Sequence, residues 1–245
     1  MVQTEPYRTL ALCYDAVMAH VDYVEWVEFI ESVLDYHDHA PARVIELGCG
    51  TATFSHLFEA RNDVVYLATD ASEDMLSIAR KKNRDSGITF SNREFGKLEG
   101  EETFDTALLL YDGLNYMLIE DDVLNFFRRV YKVLQPGGMF IFDQSTPANS
   151  VNNRDYFQDA GESGDVSYVR TSEYNKESSL HTTKFEITHS GRVFQETHLQ
   201  KCYTGARIQD LLDKTEFIIE AGYDGFSLET ADIESERIHW VVRKP

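Results

Sequence analysis

The chain has 245 residues, of which 42% are hydrophobic and 27% are charged, as in ordinary globular proteins. Its formal net charge of −19 at pH 7 argues against a nucleic-acid partner, because affinity for phosphates comes mainly from Lys and Arg, and it disfavours anionic membranes. There is no leader-like N-terminus, no apolar run near the roughly 20 residues of a membrane span and no Cys-x-x-Cys, so we expect a cytoplasmic protein without a disulfide framework.

Two segments of helical hydrophobic spacing open the chain. Residues 5–20 and 22–36 place apolar side chains three and four residues apart, which predicts two amphipathic helices. His37 and His39 follow in the polar stretch H-D-H-A-P. No third ligand is close in the sequence, so this stretch predicts a solvated turn and no metal site. We therefore expect residues 1–40 to form a helical cover.

Strand-like and helix-like segments then alternate between residues 41 and 143. This alternation predicts an α/β core with a mostly parallel, doubly wound sheet and right-handed crossovers. Gly87 and the sequence Pro-Gly-Gly mark turns between the elements. The expected strands are 43–47, 64–69, 88–91, 104–110 and 139–142, and the expected helices are 53–61, 72–87 and 122–134.

The pattern changes after residue 143. Residues 144–164 are rich in Ser, Asn, Asp and Gly and predict a loop or lid. Residues 165–203 alternate apolar and polar side chains, which predicts an antiparallel meander of about three strands. We expect 144–205 to be a lid loop and antiparallel β insertion. We expect 206–245 to complete the core sheet, with a helix at 208–213 and strands at 217–221 and 237–242.

The chemistry of the chain centres on a turn, E-L-G-C-G-T-A, which begins at Glu46. Gly48 and Gly50 have no Cβ, so the backbone can turn tightly and lie close to a ligand. Asp70 ends the second core strand, 20 residues beyond Gly50. An acid there accepts hydrogen bonds from ribose hydroxyls, in NAD sites and in S-adenosyl-L-methionine (SAM) sites alike. The alternative role of Asp70 is to cap the helix that follows.

Two ligand classes compete for this turn. An NAD fingerprint needs a third glycine, where this chain has Thr53, to hold a pyrophosphate at a helix N-terminus. The carboxylate of Glu46 would repel a pyrophosphate but attract the ammonium and sulfonium of SAM. The pattern therefore favours SAM and leaves an NAD(P)-dependent oxidoreductase as an alternative.

Four motifs within residues 43–143 resemble those of class I SAM-dependent methyltransferases. They are E-L-G-C-G-T-A, T-D-A-S-E-D-M-L-S-I-A-R, F-D-T-A-L-L-L and L-Q-P-G-G-M-F-I-F-D. Y-D-A-V-M, Y-V-E-W, Y-D-G-L-N-Y and E-T-H-L-Q-K-C-Y resemble the small bacterial methyltransferases called YqeM-like, which are distantly related to sugar-amine N,N-dimethyltransferases. The resemblance implies a Rossmann-like class I methyltransferase fold and an enzyme that converts SAM to S-adenosylhomocysteine (SAH). The chain departs from the family at Ala52, where relatives often have a third glycine.

The resemblance also implies which residues hold the cofactor. Met75 has an alternative role in the core of its helix. The implied contacts are Glu46, Gly48, Cys49 and Gly50 at the methionine end, Asp70 and Ala71 at the ribose, Met75, Glu94 and Phe95 at the adenine, and Tyr111 near the sulfonium. Tyr14 would come from the N-terminal helix to cover the cofactor.

The acceptor is expected to be a small molecule with an N- or O-nucleophile, and an amine is favoured. An amine must be neutral to attack, so a general base is useful. The candidate catalytic residues are His198, Tyr116 and Asp112, and the candidate acceptor contacts are Asn115, Tyr116, His198 and Tyr203. A strand histidine such as His198 has an alternative, structural role.

Other functions stay open from the sequence alone. A non-catalytic module that senses SAM or binds a partner would have the same motifs. A tRNA methyltransferase is disfavoured by the charge of −19 and would need a local basic patch. We expect a monomer or a homodimer.

Overall fold

The computed structural model describes residues 1–100, 103–153 and 157–245. The strands are β1 Val2–Gln3, β2 Arg43–Leu47, β3 Val65–Asp70, β4 Thr89–Asn92, β5 Phe104–Leu109, β6 Leu134–Ser145, β7 Asp159–Ser163, β8 Val166–Asn175, β9 Leu180–His189, β10 Arg192–Lys201, β11 Ile218–Asp224 and β12 Arg237–Arg243. The α-helices are α1 Tyr14–Val17, α2 Tyr23–Tyr36, α3 Thr53–Arg61, α4 Glu73–Lys82, α5 Glu120–Val133, α6 Pro147–Asn152 and α7 Gly205–Leu212, and 3₁₀ turns occur at Leu10–Leu12, Phe95–Lys97 and Gly113–Tyr116.

The larger sheet has the strand order β11-β12-β6-β5-β2-β3-β4. Strands β2 to β6 pair in parallel, while β12 pairs antiparallel with β6 and with β11. Every residue of β5 is buried, as its apolar run predicts for a strand covered on both faces. The α/β fold with a mostly parallel sheet is confirmed. The carboxyl ends of β2, β3 and β5 meet at one edge, where open α/β sheets bind ligands.

Separate apolar clusters cover the two faces of this sheet. On one face α2 and α3 contribute Ile30 and Phe58, which belong to the same cluster as Val44 of β2. On the other face α5 and α7 contribute Phe127 and Ile208. The central strands are therefore held between two helical layers. In the described part of the chain, every helix is too short or too polar to cross a bilayer.

The smaller sheet has the strand order β1-β10-β9-β8-β7. Strands β7 to β10 form an antiparallel meander, and β1 pairs in parallel with β10. The meander predicted for 165–203 is confirmed, with β7 and β1 added at its two edges. Its apolar face packs against the N-terminal residues, where Phe185 and Ile187 cluster with Leu10.

The helix predicted over residues 5–20 is wrong. The segment forms a 3₁₀ turn and the one-turn helix α1 instead. Tyr7 has a φ of 64°, which no helix accommodates. The buried carboxylate of Glu196 accepts the backbone N–H groups of Tyr7, Thr9 and Leu10. A contact 186 residues away in the sequence therefore replaces the hydrogen bonds of a helix.

Two further local predictions differ from the structure. The loop predicted for 144–164 contains the end of β6, the helix α6 and the strand β7; its residues 154–156 lie outside the described residues. Pro147 is at the start of α6, where its missing N–H leaves no helical bond unmade. The turn predicted at Pro-Gly-Gly lies within β6. There the register against β5 shifts between Phe104 and Thr106, so the extra residues form a bulge.

Candidate functional site

A cavity of 570 Å³ lies at the carboxyl ends of β2 and β3, and the chain segment around Tyr7 completes its wall. Many of the residues that line it were predicted from the sequence motifs as cofactor contacts. The predicted cofactor residues that line it are Tyr14, Gly48, Gly50, Asp70, Ala71, Met75, Phe95 and Tyr111. We call this space the cofactor cavity.

The glycine turn brings the backbone to the edge of this cavity. Gly48 and Gly50 have φ angles of 73° and 56°, in the left-handed region that side chains rarely adopt. A Cβ on Gly50 would lie 3.6 Å from the ring of Tyr14. Ala52, at the third position, also has a positive φ of 59°, which costs an alanine about 1–2 kcal/mol. The departure from glycine is tolerated at a conformational cost.

Asp70 connects the glycine turn to the start of α4. Its Oδ2 accepts a hydrogen bond of 2.9 Å from the backbone N–H of Gly50, and its Oδ1 accepts one of 2.8 Å from Ser72. Burial raises the pKa of Asp70, and these backbone hydrogen bonds oppose the rise. Each carboxylate oxygen keeps a further lone pair for a hydroxyl. The alternative of Asp70 as the helix cap is wrong, because the side chain of Ser72 caps α4.

Glu46 and Cys49 lie behind the turn, in a small cleft of 30 Å³ that shares Gly48 with the cofactor cavity. The carboxylate of Glu46 accepts hydrogen bonds from the hydroxyls of Ser55 and Tyr66. Burial raises the pKa of Glu46 to about 7, against the effect of these two bonds. A cation in the cleft would favour the charged form.

Met75 and Glu94 occupy different surroundings. Met75 is 1% exposed in α4 and lines the cofactor cavity, so it is both a core residue and a cavity residue. The side chain of Glu94 is 60% exposed and pairs with Lys97 at 2.9 Å. It does not line the cavity, and its predicted contact with adenine stays a prediction.

A second cavity, of 380 Å³, lies between the core and the smaller sheet. Four tyrosines line both cavities, and we call Tyr7, Tyr14, Tyr111 and Tyr116 the tyrosine wall. Tyr7 and Tyr111 have φ angles of 64° and 65°, and such strain in bulky residues is typical of ligand sites. The second cavity therefore adjoins the cofactor cavity along an aromatic boundary.

A chain of polar contacts runs from the tyrosine wall into the smaller sheet. The hydroxyls of Tyr7 and Tyr116 lie 2.5 Å apart, and the Tyr116 hydroxyl is 3.0 Å from Nδ1 of His198. Nε2 of His198 lies 3.4 Å from Oε2 of Glu196. Burial raises the pKa of Tyr116, so its hydroxyl stays protonated at neutral pH. The arrangement can carry a proton from the cavity to a histidine that faces a carboxylate.

Asp112 has a different set of contacts. Its carboxylate pairs with Arg237 at 2.6 Å, and Arg237 also pairs with the buried Asp143. The guanidinium lies over the rings of Trp26 and Tyr111. Asp112 lines the second cavity, but its charge is matched by Arg237, and its predicted catalytic role stays a prediction.

Asn115 and Tyr203, two predicted acceptor contacts, make structural hydrogen bonds. The amide of Asn115 donates to the carbonyls of Ser145 and Lys201 and accepts from the Ser145 N–H. The hydroxyl of Tyr203 donates to the carbonyl of Met117. Asn115 lines the second cavity, whereas Tyr203 packs in the core. Their acceptor roles stay predictions.

The histidines expected in a solvated turn have protein partners. His37 pairs with Glu220 at 2.7 Å, and His39 lies 2.9 Å from the hydroxyl of Thr106. Across the described ranges, no three His, Cys, Asp or Glu side chains come together as metal ligands would.

Three residues of the site were missed by the sequence analysis. Glu196 precedes His198 by two residues, so strand alternation could have placed both on one face. The contact of Tyr7 with the site could not be predicted, because a helix was expected over residues 5–20. Arg237 begins a strand 125 residues from Asp112, and no local pattern connects them.

Comparisons with known proteins agree with this geometry. Residues 44–138 match the family model described as a methyltransferase domain. The protein named "Putative methyltransferase YqeM" of Bacillus subtilis (strain 168) is 29% identical over 97% of this chain and 97% of its own length.

Two crystallised proteins share the fold over nearly the whole chain. An S-adenosylmethionine-dependent methyltransferase from Clostridium acetobutylicum ATCC 824 has a TM-score of 0.79 and 24% identity, covering 97% of this chain and 98% of that one. CalS10, an amino pentose methyltransferase from Micromonospora echinaspora, has a TM-score of 0.71 and 16% identity, covering 95% and 96%. These matches decide against an oxidoreductase. Residues 44–138 match a methyltransferase domain, the whole chain shares the fold of SAM-dependent methyltransferases, and together these findings support a methyltransferase enzyme.

Proposed function

We propose that the chain transfers the methyl group of SAM to a nitrogen of a small molecule held in the second cavity. The observation that carries the proposal is the hydrogen-bonded chain of Tyr116 and His198 at the boundary of the two cavities. A cofactor on one side of the tyrosine wall and an acceptor on the other would meet there. Residues 1–40 and 144–205 would enclose the acceptor, and 41–143 would hold the cofactor.

The cofactor cavity fits SAM at three points. The Gly48–Gly50 turn has the positive φ angles of a backbone that approaches a ligand closely. The two oxygens of Asp70 are fixed by backbone N–H groups and keep lone pairs for ribose hydroxyls. Phe95 and Met75 offer an apolar surface to the adenine. When bound, SAM supplies a methyl group already activated by the sulfonium, so alignment and proton removal are what the protein adds.

The proton of the acceptor nitrogen would leave through Tyr116. As the nitrogen lone pair forms the new N–C bond and the bond between the methyl carbon and the sulfonium sulfur breaks to leave SAH, the nitrogen proton would pass to the Tyr116 oxygen, and Tyr116 would pass its own proton to Nδ1 of His198. His198 then carries a positive charge that faces the carboxylate of Glu196. The neutral hydroxyl of Tyr116 relays the proton, and His198 acts as the general base.

The lining of the second cavity supports a small, polar acceptor. Its volume of 380 Å³ is in the range of small-molecule sites. Asn149, Thr183 and Gln200 add hydrogen-bonding groups at the side formed by α6 and the smaller sheet. CalS10, which shares the fold, is an amino pentose methyltransferase. An amine that also carries hydroxyl groups fits these features.

An assay of SAH release tests the proposal. The purified chain is incubated with SAM and a panel of hydroxylated amines, matched alcohols without the amine, thiols and bulk tRNA. We expect SAH release with an amine and none with its matched alcohol. SAM binding without turnover on any acceptor would favour a SAM-sensing module, and release with tRNA alone would contradict the small acceptor.

A further inference from the structure

The carboxylate of Glu196 joins two parts of the site. The N-terminal segment, which we define as residues 2–10, crosses the smaller sheet and reaches the tyrosine wall. Glu196 is fully buried and accepts hydrogen bonds from the backbone N–H groups of Tyr7 (2.8 Å), Leu10 (3.0 Å) and Thr9. The segment is thus bound to β10 through one side chain as well as through β1.

The same carboxylate faces the candidate base. Its Oε2, which accepts the N–H of Tyr7, lies 3.4 Å from Nε2 of His198. Tyr7 also contacts both residues of the proton path. The centre of its ring is 4.8 Å from that of His198, and its hydroxyl contacts the hydroxyl of Tyr116. One oxygen atom therefore contacts both the segment that covers the cavities and the ring that would take the proton.

We propose that Glu196 is a positioning residue that links the seating of the N-terminal segment to proton acceptance by His198. The base role of His198 rests on the proposed function. With the segment seated, three backbone N–H groups fix the carboxylate beside the ring. Without it, a buried carboxylate loses most of its donors, which is costly. Its position and charge beside His198 would then no longer be held.

The charges around Glu196 agree with this proposal. Burial alone would raise the pKa of Glu196, but the neighbouring His198 ring and the hydrogen bonds from the Leu10 and Thr9 backbone hold it below its usual range. The other groups that face the ring of His198 are Tyr7 from the segment, Tyr116 from the 3₁₀ turn and the non-titrating Phe185 from β9. Glu196 is thus the anion in contact with the ring.

The segment is also attached on the cofactor side. The hydroxyl of Ser72, next to the ribose candidate Asp70, donates to the carbonyl of Tyr7 at 3.0 Å. The segment therefore bridges the core and the smaller sheet. Because the carboxylate beside His198 is held only when the segment is seated, methyl transfer would be confined to that state.

Glu196→Gln tests the proposal, with Glu186→Gln as its matched control. Glu186 lies on the adjacent strand β9 with an exposed side chain, and the change removes the same charge. Hydrogen exchange of the amides of residues 7–10 and the NMR shifts of the His198 ring nitrogens at one fixed pH are measured on the free protein. We expect Glu196→Gln to speed the exchange about tenfold, as for the loss of one hydrogen bond of typical strength. We also expect the NMR shifts of the His198 ring nitrogens to change, because the carboxylate that lies 3.4 Å from Nε2 is replaced by a neutral amide.

The control variant should match the wild-type chain in both measurements. Unchanged exchange and unchanged ring-nitrogen shifts in folded Glu196→Gln would overturn the proposal. If that variant does not fold, Thr9→Pro is used instead, because it removes one of the N–H donors to Glu196 and leaves β10 intact. It should change the His198 ring-nitrogen shifts, and wild-type shifts with a displaced segment would refute the link. Neither measurement uses an acceptor. A lack of SAH release in the assay above would therefore contradict the proposed function and would leave the proposal about Glu196 to these two measurements.

Discussion

The hydroxyl of Tyr116 lies 3.0 Å from Nδ1 of His198, although 82 residues separate them. Tyr116 follows β5 at the cofactor edge of the core, and His198 lies on β10 of the smaller sheet. The contact therefore exists only when the two sheets are docked. It places the candidate base at the point where both cavities meet.

Replacing either partner should slow transfer without loss of cofactor binding. We expect Tyr116→Phe and His198→Gln each to lower kcat by about 10²–10⁴-fold, the usual contribution of a general base, while calorimetry gives an unchanged affinity for SAH. His189→Gln is the control, because His189 lies at the far end of β9 outside both cavities. A full-rate His198→Gln enzyme would show that the histidine is structural.

Asp70→Asn should weaken SAH binding by about tenfold or more, as expected for the loss of a charged hydrogen-bond acceptor. Asp70 accepts hydrogen bonds from the N–H groups of Gly50 and Ser72. The NH₂ group of an asparagine would face one of these donors and could not accept its hydrogen bond. Titration calorimetry measures the affinity. Asp85→Asn removes an exposed acid after α4 and should bind as the wild-type chain does. Equal affinity in both variants would contradict the ribose role.

Ala52→Gly should stabilise the chain by about 0.5–1 kcal/mol, since relief of the left-handed strain exceeds the entropy that glycine adds to the unfolded state. In a chain of this length the gain corresponds to a rise in Tm of about 1–4 °C. Ala60→Gly, at an exposed position within α3, should have the opposite sign. Calorimetric melting of the pair checks the prediction, and two losses of stability would refute it.

The pH dependence of stability should contain a contribution from Glu46. Burial raises its pKa from 4.5 to about 7 in the folded chain, so the folded state binds the proton more tightly than the unfolded state. Stability from this group is therefore present below about pH 4.5 and is lost as pH rises towards 7. Glu46→Gln imitates the protonated form and should become more stable than wild type by at most about 3 kcal/mol at pH 8. Urea unfolding at pH 5 and pH 8 measures the difference, and a pH-independent difference would contradict the assignment.

The core of the fold followed from patterns in the sequence. The apolar run that ends β5 and the glycine turn after β2 have local causes, so their positions were predicted within a residue or two. The N-terminal segment was mispredicted because Glu196 replaces its helical hydrogen bonds. The cofactor cavity was predicted because it is built from motifs that are close in the sequence. The second cavity was not predicted as well, because its contacts join residues about 80 to 190 positions apart.

The contact between Trp26 and the tyrosine wall gives the chain a built-in optical signal. Trp26 lies 5.1 Å from the ring of Tyr111 and beneath the guanidinium of Arg237. Trp240, the other tryptophan of the sequence, is buried in the core and bonded to Gln144. A ligand that moves Tyr111 or Arg237 will change the emission of Trp26, so a Trp240→Phe chain should report the filling of either cavity by fluorescence, without a label and before any acceptor is known.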